Sequence, residues 1–199
     1  MHSADMTPSA GAARASRRRQ SRAAATADDL YRIRGKAELV GGGLVIMPPT
    51  GFLPGIAAGE IFASLRAYAR RTKSGYAIPD NVAFLVNLPK RKSFSPDAAF
   101  YRGKSTGMKF LRGAPVFAVE VRSENDYGAR AERALAQKRR DYFAAGTQVV
   151  WDVDLLGEDV VKVYRADVPA HPTSRRRGDT ADAEPALPGW RMAVNDLFP

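Results

Sequence analysis

Three residues have the types and spacing that phosphodiester chemistry requires: Asp97, Glu120 and Lys138. Glu120 lies in Phe117-Ala-Val-Glu-Val-Arg-Ser123, where Phe117, Val119 and Val121 are apolar at every second position. That alternation predicts a strand with one face in a core. The other face then carries Ala118, Glu120 and Arg122, a carboxylate and a guanidinium on one side of a sheet. Asp97 lies in Ser95-Pro-Asp-Ala-Ala-Phe-Tyr101, a second short strand-like run. Lys138 belongs to a helix predicted over 129–145 and stopped by Gly146 as a left-handed cap.

Hydrolysis of a phosphodiester calls for a cation that neutralises charge growing on the phosphate and acidifies a bound water. Two carboxylates give a hard divalent ion charge-matched ligands and leave positions open for water and substrate. A nearby lysine orients the water or holds the phosphate. Lys138 sits mid-way along the stripe Ala131, Ala134, Leu135, Lys138, Tyr142 and Ala145, the helical spacing of a buried face. An ammonium there needs a partner, because an unpaired interior charge is costly. Asp97 and Glu120 are the candidates. Two blander roles stay open: the lysine snorkels to the rim, or it makes a purely structural ion pair.

Composition narrows the chemistry further. The 199 residues suit one full-sized domain, and a 45% hydrophobic content fits a globular core. There is no cysteine, which excludes disulfides and thiolate zinc sites and suits a reducing, cytoplasmic compartment. His2 and His171 are the only histidines, one in an expected tail and one in an expected loop, so a histidine-built metal site is disfavoured. A metal here would sit on oxygen ligands, which points to Mg2+ or Mn2+. Lys+Arg 31 against Asp+Glu 21 gives a net charge of +10, favouring an anionic partner such as nucleic acid. No apolar run approaches the roughly 18 residues of a membrane span, so no membrane partner is expected.

Residues 1–27, rich in Ala, Ser and Arg with Arg17-Arg-Arg19 at the centre, read as a disordered basic N-terminal arm; 28–199 read as the folded domain. The arm either holds phosphates loosely or is a solvated extension. Asp28 to Ile33 reads as a short helix, and Glu38-Leu-Val-Gly-Gly-Gly-Leu-Val-Ile-Met47 as a hairpin. Glu38 opens its first strand, as a site acid or as an exposed edge acid. A helix is expected from Pro54 to about Thr72, closed by Gly75. Val82, Phe84 and Val86 alternate as a strand, followed by a basic loop whose Lys90, Arg91 and Lys92 are candidate nucleic-acid contacts or simply a charged tip. Residues 102–114 read as a loop, Val149–Val153 and Asp159–Tyr164 as strands, and 166–186 as a polar loop carrying Arg175-Arg-Arg177. The end reads as a short strand, Leu187 to Val194, and a closing turn.

The order of these pieces is more specific than any one of them. Pro96-Asp97 followed by Val119-Glu-Val121 resembles the PD-(D/E)XK nuclease superfamily, and more closely its large bacterial family of putative restriction endonucleases. The hairpin Glu38–Pro48, the strand Ser95–Phe100, the strand Phe117–Ser123, the segment Lys138–Val153 and Leu187-Pro-Gly-Trp190 follow that family's order over roughly residues 30–199. The resemblance implies an α/β fold with a restriction-endonuclease-like core, a mixed β-sheet flanked by α-helices. It implies Mg2+ (or Mn2+) held by Asp97, Glu120 and the backbone carbonyl of Val121, with Glu38 as an additional site acid. It implies Lys138, supplied from the following helix, in place of the lysine usually two residues after the glutamate.

This sequence has Arg122 at that usual place. An arginine binds phosphate but cannot surrender its proton to act as a base. Family members also often carry a histidine at the start of the helix after the hairpin, where this chain has Pro54. The expectation is therefore a metal-dependent DNA endonuclease, of a kind that commonly forms homodimers. Its rival is a catalytically inactive nucleic-acid- or partner-binding protein on the same fold. No base-reading motif identifies a sequence preference.

Overall fold

A mixed six-stranded sheet with one long helix on each face positions the acids. The computed structural model describes residues 24–199. In chain order these form α1 (Ala27–Tyr31), the hairpin β1 (Ala37–Val40) and β2 (Gly43–Ile46), α2 (Phe52–Thr72), β3 (Tyr76–Ile78), β4 (Phe84–Leu85), β5 (Ser93–Phe94), β6 (Ala98–Tyr101), β7 (Leu111–Arg112) and β8 (Phe117–Val121). There follow α3 (Ala129–Ala144), β9 (Val149–Val153), β10 (Val161–Arg165), β11 (Thr173–Arg175), β12 (Thr180–Asp182), β13 (Arg191–Ala193) and a final 3-10 turn, Val194–Leu197.

The sheet order is β11-β10-β9-β8-β6-β3. Only β8 and β9 run parallel, joined through α3, and every other neighbouring pair is antiparallel. This is a βαβ crossover set into an otherwise antiparallel sheet, the mixed architecture expected. The two parallel strands are central and almost wholly buried, which explains their near-continuous apolar sequences.

Alternation along β8 divides the core. Phe117, Val119 and Val121 face α2, whose stripe Ala57, Ala58, Ile61, Leu65 and Tyr68 recurs at helical spacing. Trp190 from the C-terminal segment completes that side, 5.1 Å from the Trp151 ring and 5.5 Å from Phe117. Ala118 and Val150 face the other way, toward α3, where Tyr142 stacks on Phe94 at 4.0 Å.

Several boundaries differ from expectation. Ahead of residue 28, the Ala25 N–H donates to Gly42 O at 2.9 Å, and Thr26 caps α1 in a reciprocal box with Asp29. The rest of the expected arm, Arg17–Arg19 included, lies outside the described residues. Helix α2 ends at Thr72 as expected, but it is Lys73, φ 53°, and not Gly75 that supplies the left-handed cap. Gly75 answers a different need: a Cβ there would meet the Tyr101 carbonyl oxygen at 2.5 Å. The stretches read as loops contain β7 and the pair β11 and β12, strands of two or three residues that are too short for alternation to register.

Candidate active site

The acids converge because strand alternation and strand order agree. Glu120, on the α3 side of β8, stands in register with Asp152 on β9, so two carboxylates lie side by side beneath α3. Consecutive residues of the helix answer them. Lys138 Nζ lies 2.7 Å from Glu120 Oε2, and Arg139 donates to Asp152 Oδ2 at 2.9 Å. One turn on, the Tyr142 hydroxyl donates to Glu120 Oε1 at 2.7 Å. Asp97 sits one residue before β6, and its Oδ2 accepts the Val121 N–H at 2.7 Å.

Glu38 is no edge acid. It is 3% exposed, accepts the Ser95 N–H at 2.9 Å, and lies 2.8 Å from Lys138 Nζ. Lys138 is thus held between Glu38 and Glu120. These residues line a cleft of about 370 Å³, walled by Val40, Val45, Met47 and Leu135. The α3 stripe therefore divides: Tyr142 is buried in the core, while Ala131, Ala134, Leu135 and Lys138 border the cleft.

Two expected site residues have other work. Arg91, a candidate nucleic-acid contact, is turned inward and only 6% exposed, because buried Glu38 and half-buried Asp141 both need a cation. Lys90 and Lys92 beside it remain exposed. Arg122 grips Asp152 with two nitrogens, at 2.8 and 3.0 Å, and binds Glu132 near the start of α3. It fastens α3 to the sheet, and its guanidinium has no edge left for a phosphate. Pro54 lies in the first turn of α2 and is not among the residues lining the cleft.

Sequence reasoning missed Lys36, Asp80 and the role of Tyr142. Lys36 Nζ contacts Asp97 Oδ1 and lies 2.7 Å from Asp80 Oδ1. Its signal was legible: Lys36 is two residues before Glu38, on the same face of the extended chain. Tyr142, one helical turn after Lys138, had the same kind of signal.

Burial pushes the Glu120 carboxyl up to about 7, with Asp97 and Glu38 adding to the rise and Lys138 opposing it. Burial lowers Lys138, but Glu120 and Glu38 more than offset that and hold its ammonium above the usual lysine range. Burial likewise pulls Lys36 down, and Asp97 and Glu120 more than restore it. The site holds three clustered carboxylates, Glu38, Asp97 and Glu120, with a lysine that stays charged. A hard divalent cation suits Asp97 and Glu120, since both offer oxygen only. Among the described residues no group of three or more His, Cys, Asp or Glu side chains stands in metal-holding arrangement, so backbone oxygen and water would complete any ligand shell.

The fold and the cleft define the class, a restriction-endonuclease-like α/β scaffold of the kind nucleases use. The chain belongs to the Uma2 family, described as "Putative restriction endonuclease", which matches residues 27–195. Among solved structures it is similar to a putative nuclease belonging to DUF820 from Anabaena variabilis, with a TM-score of 0.69 and 16% identity over 87% of this chain and 97% of that one. No curated protein matches it. Among the described residues no helix is long and apolar enough to cross a membrane.

Proposed function

We propose that the protein is a divalent-metal-dependent endonuclease that hydrolyses DNA phosphodiester bonds at the cleft between the β1-β2 hairpin, β8 and α3. The observation supporting this most directly is that Asp97, Glu120 and Lys138, from three separate segments, line one cleft, with Lys138 bonded to Glu120 and Asp97 accepting the N–H of the next residue on the Glu120 strand. Membership of a nuclease family and the excess of cationic side chains over acidic ones favour DNA as the substrate.

In this reading Asp97, Glu120 and the Val121 carbonyl would hold Mg2+ or Mn2+. When bound, the ion supplies Lewis acidity toward the phosphate and acidifies a water. The chain's own residues do the rest. Lys138, kept charged by two carboxylates, acts as a donor and not as a base: it orients the attacking water or holds a phosphate oxygen. Glu38 fixes the lysine, and Arg91 fixes Glu38. Tyr142 anchors the Glu120 oxygen that faces the core. Exposed Lys90 and Lys92 are placed to attract the flanking backbone.

The test is cleavage of plasmid and single-stranded DNA with Mg2+ and with Mn2+, comparing wild type with Asp97→Ala and Lys138→Ala. Metal-dependent nicking that disappears in both folded variants is expected. A rival reading, a binding protein without catalysis, is favoured by Pro54 at the position where relatives often carry histidine. Wild type that binds DNA without cutting it, with Asp97→Ala binding equally well, would establish that rival.

A further inference from the structure

Lys36 occupies the Asp97 oxygen that no backbone donor holds, the one most open to a cation. Of the two Asp97 oxygens, Oδ2 is committed to the Val121 N–H at 2.7 Å, and Oδ1 is held by Lys36. An ammonium and a divalent ion repel each other strongly at a shared oxygen in a poorly solvated cleft. The lysine has somewhere else to go. Its Nζ already lies 2.7 Å from Asp80 Oδ1, on the turn after β3, and the Asp80 side chain is 39% exposed against 14% for Asp97. The two anchors are unequal: one is inside the cleft and one is at its wet rim.

We propose that Lys36 is a positioning residue that holds Asp97 in the cation's stead and withdraws onto Asp80 when the cation binds. This rests on Asp97 being a cation ligand. In the absence of a cation, Lys36 keeps the Asp97 carboxylate oriented and neutralised. On loading, its ammonium stays within the cleft, tethered by Asp80, rather than leaving the site. Cation affinity is thereby set by a competition within the chain, and Asp80 tunes it by stabilising the withdrawn lysine.

Calorimetric titration of Mn2+ into the intact protein tests this directly, with folding of each variant checked by circular dichroism. Lys36→Met is expected to bind Mn2+ about tenfold more tightly than wild type, the effect of losing roughly one competing ion pair. Lys36→Gln, which keeps a donor for both carboxylates but no charge, should shift the same way. Asp80→Asn should bind several-fold more weakly, and that weakening should vanish in the Lys36→Met background, since Asp80 acts through the lysine. Unchanged or weaker binding in both Lys36 variants overturns the proposal. So does an Asp80→Asn effect that persists without the lysine, which would make Asp80 a direct ligand or a simple field source. If wild type binds Mn2+ and Asp97→Ala does not, such a failure falls on Lys36 alone. If wild type and Asp97→Ala both fail to bind, the metal-dependent nuclease reading falls with it.

Discussion

Glu120→Gln should make the metal-free protein more stable near neutral pH, although it removes a residue at the centre of the cleft. Glu120 titrates at about 7 in the folded chain against an ordinary 4.5, because burial and the neighbouring Asp97 and Glu38 outweigh Lys138. Between those values the folded state binds a proton that the unfolded chain has released, so stability falls as pH rises through the window and changes no further above it. The full displacement corresponds to about 3 kcal/mol, an upper bound for a carboxyl coupled to a lysine. Glutamine removes the charge and keeps one carbonyl oxygen, which can accept from Lys138 while its NH2 group donates to the Tyr142 oxygen. The variant should therefore gain up to about 3 kcal/mol over wild type near pH 8, equivalent to roughly 6–12 °C in Tm for a domain of this size. Near pH 5 the gain should shrink toward zero, because wild type is then protonated. Urea unfolding of both proteins in chelator at four pH values measures this, the difference between them cancelling other titrating groups. Saturating magnesium should then favour wild type alone, since only the charged acid gains from the ion. A variant that is less stable than wild type near pH 8, or a difference that ignores pH, would show that Lys138 keeps Glu120 ionised and would refute the argument.

Asp152→Ala leaves Arg122, 8% exposed, with only half-exposed Glu132 as a partner and takes a carboxylate from Arg139, and should cost up to about 3 kcal/mol in denaturant unfolding. Replacing Arg122, Arg139 and Asp152 together with apolar residues should recover much of that loss, since no charge is then left unpaired. Trp190→Ala opens a cavity against Trp151 and Phe117 and should cost about 3–5 kcal/mol by the same measurement. Gly75→Ala should lower stability by about 1–3 kcal/mol, because its methyl meets backbone at Tyr101 that no rotamer change relieves. Lys90→Ala with Lys92→Ala should weaken DNA binding and flatten its salt dependence while leaving Tm within about 1 °C, as both side chains are exposed.

What periodicity can express was legible in the sequence. The alternation of Phe117, Val119 and Val121 put Glu120 on the face opposite the α2 core, and the stripe through Lys138 and Tyr142 put both over that face. The hairpin, both long helices and the central strands followed from the same reasoning. Periodicity says which side a residue is on and nothing about what faces it. Glu38 and Arg91 are 53 residues apart, Lys36 and Asp97 61, and those pairings are set by tertiary packing alone. A run such as Lys90-Arg91-Lys92 therefore looks uniformly solvated, although its middle member neutralises two acids. The side chains of an extended run alternate, and the one that turns inward finds whatever charge the fold has left there.

A lysine carried on α3 needs a different kind of rigidity from one carried on a strand. A lysine on the strand would be located by the sheet's own hydrogen bonds, whereas Lys138 is located by where a whole helix lies. Only Tyr142 of α3 is fully buried, so apolar packing by itself constrains the helix weakly along most of its length. The charged contacts supply the missing restraint. Arg122 ties Glu132 near the start of α3 to Asp152 on β9, and Arg139 ties the middle of the helix to the same carboxylate. Asp152 and Glu120 are in register on neighbouring strands, so fastening Arg139 over one brings Lys138 over the other. Arg122 thus determines where Lys138 can reach. This explains why a guanidinium with a fixed, forked geometry, rather than a second flexible ammonium, stands at residue 122.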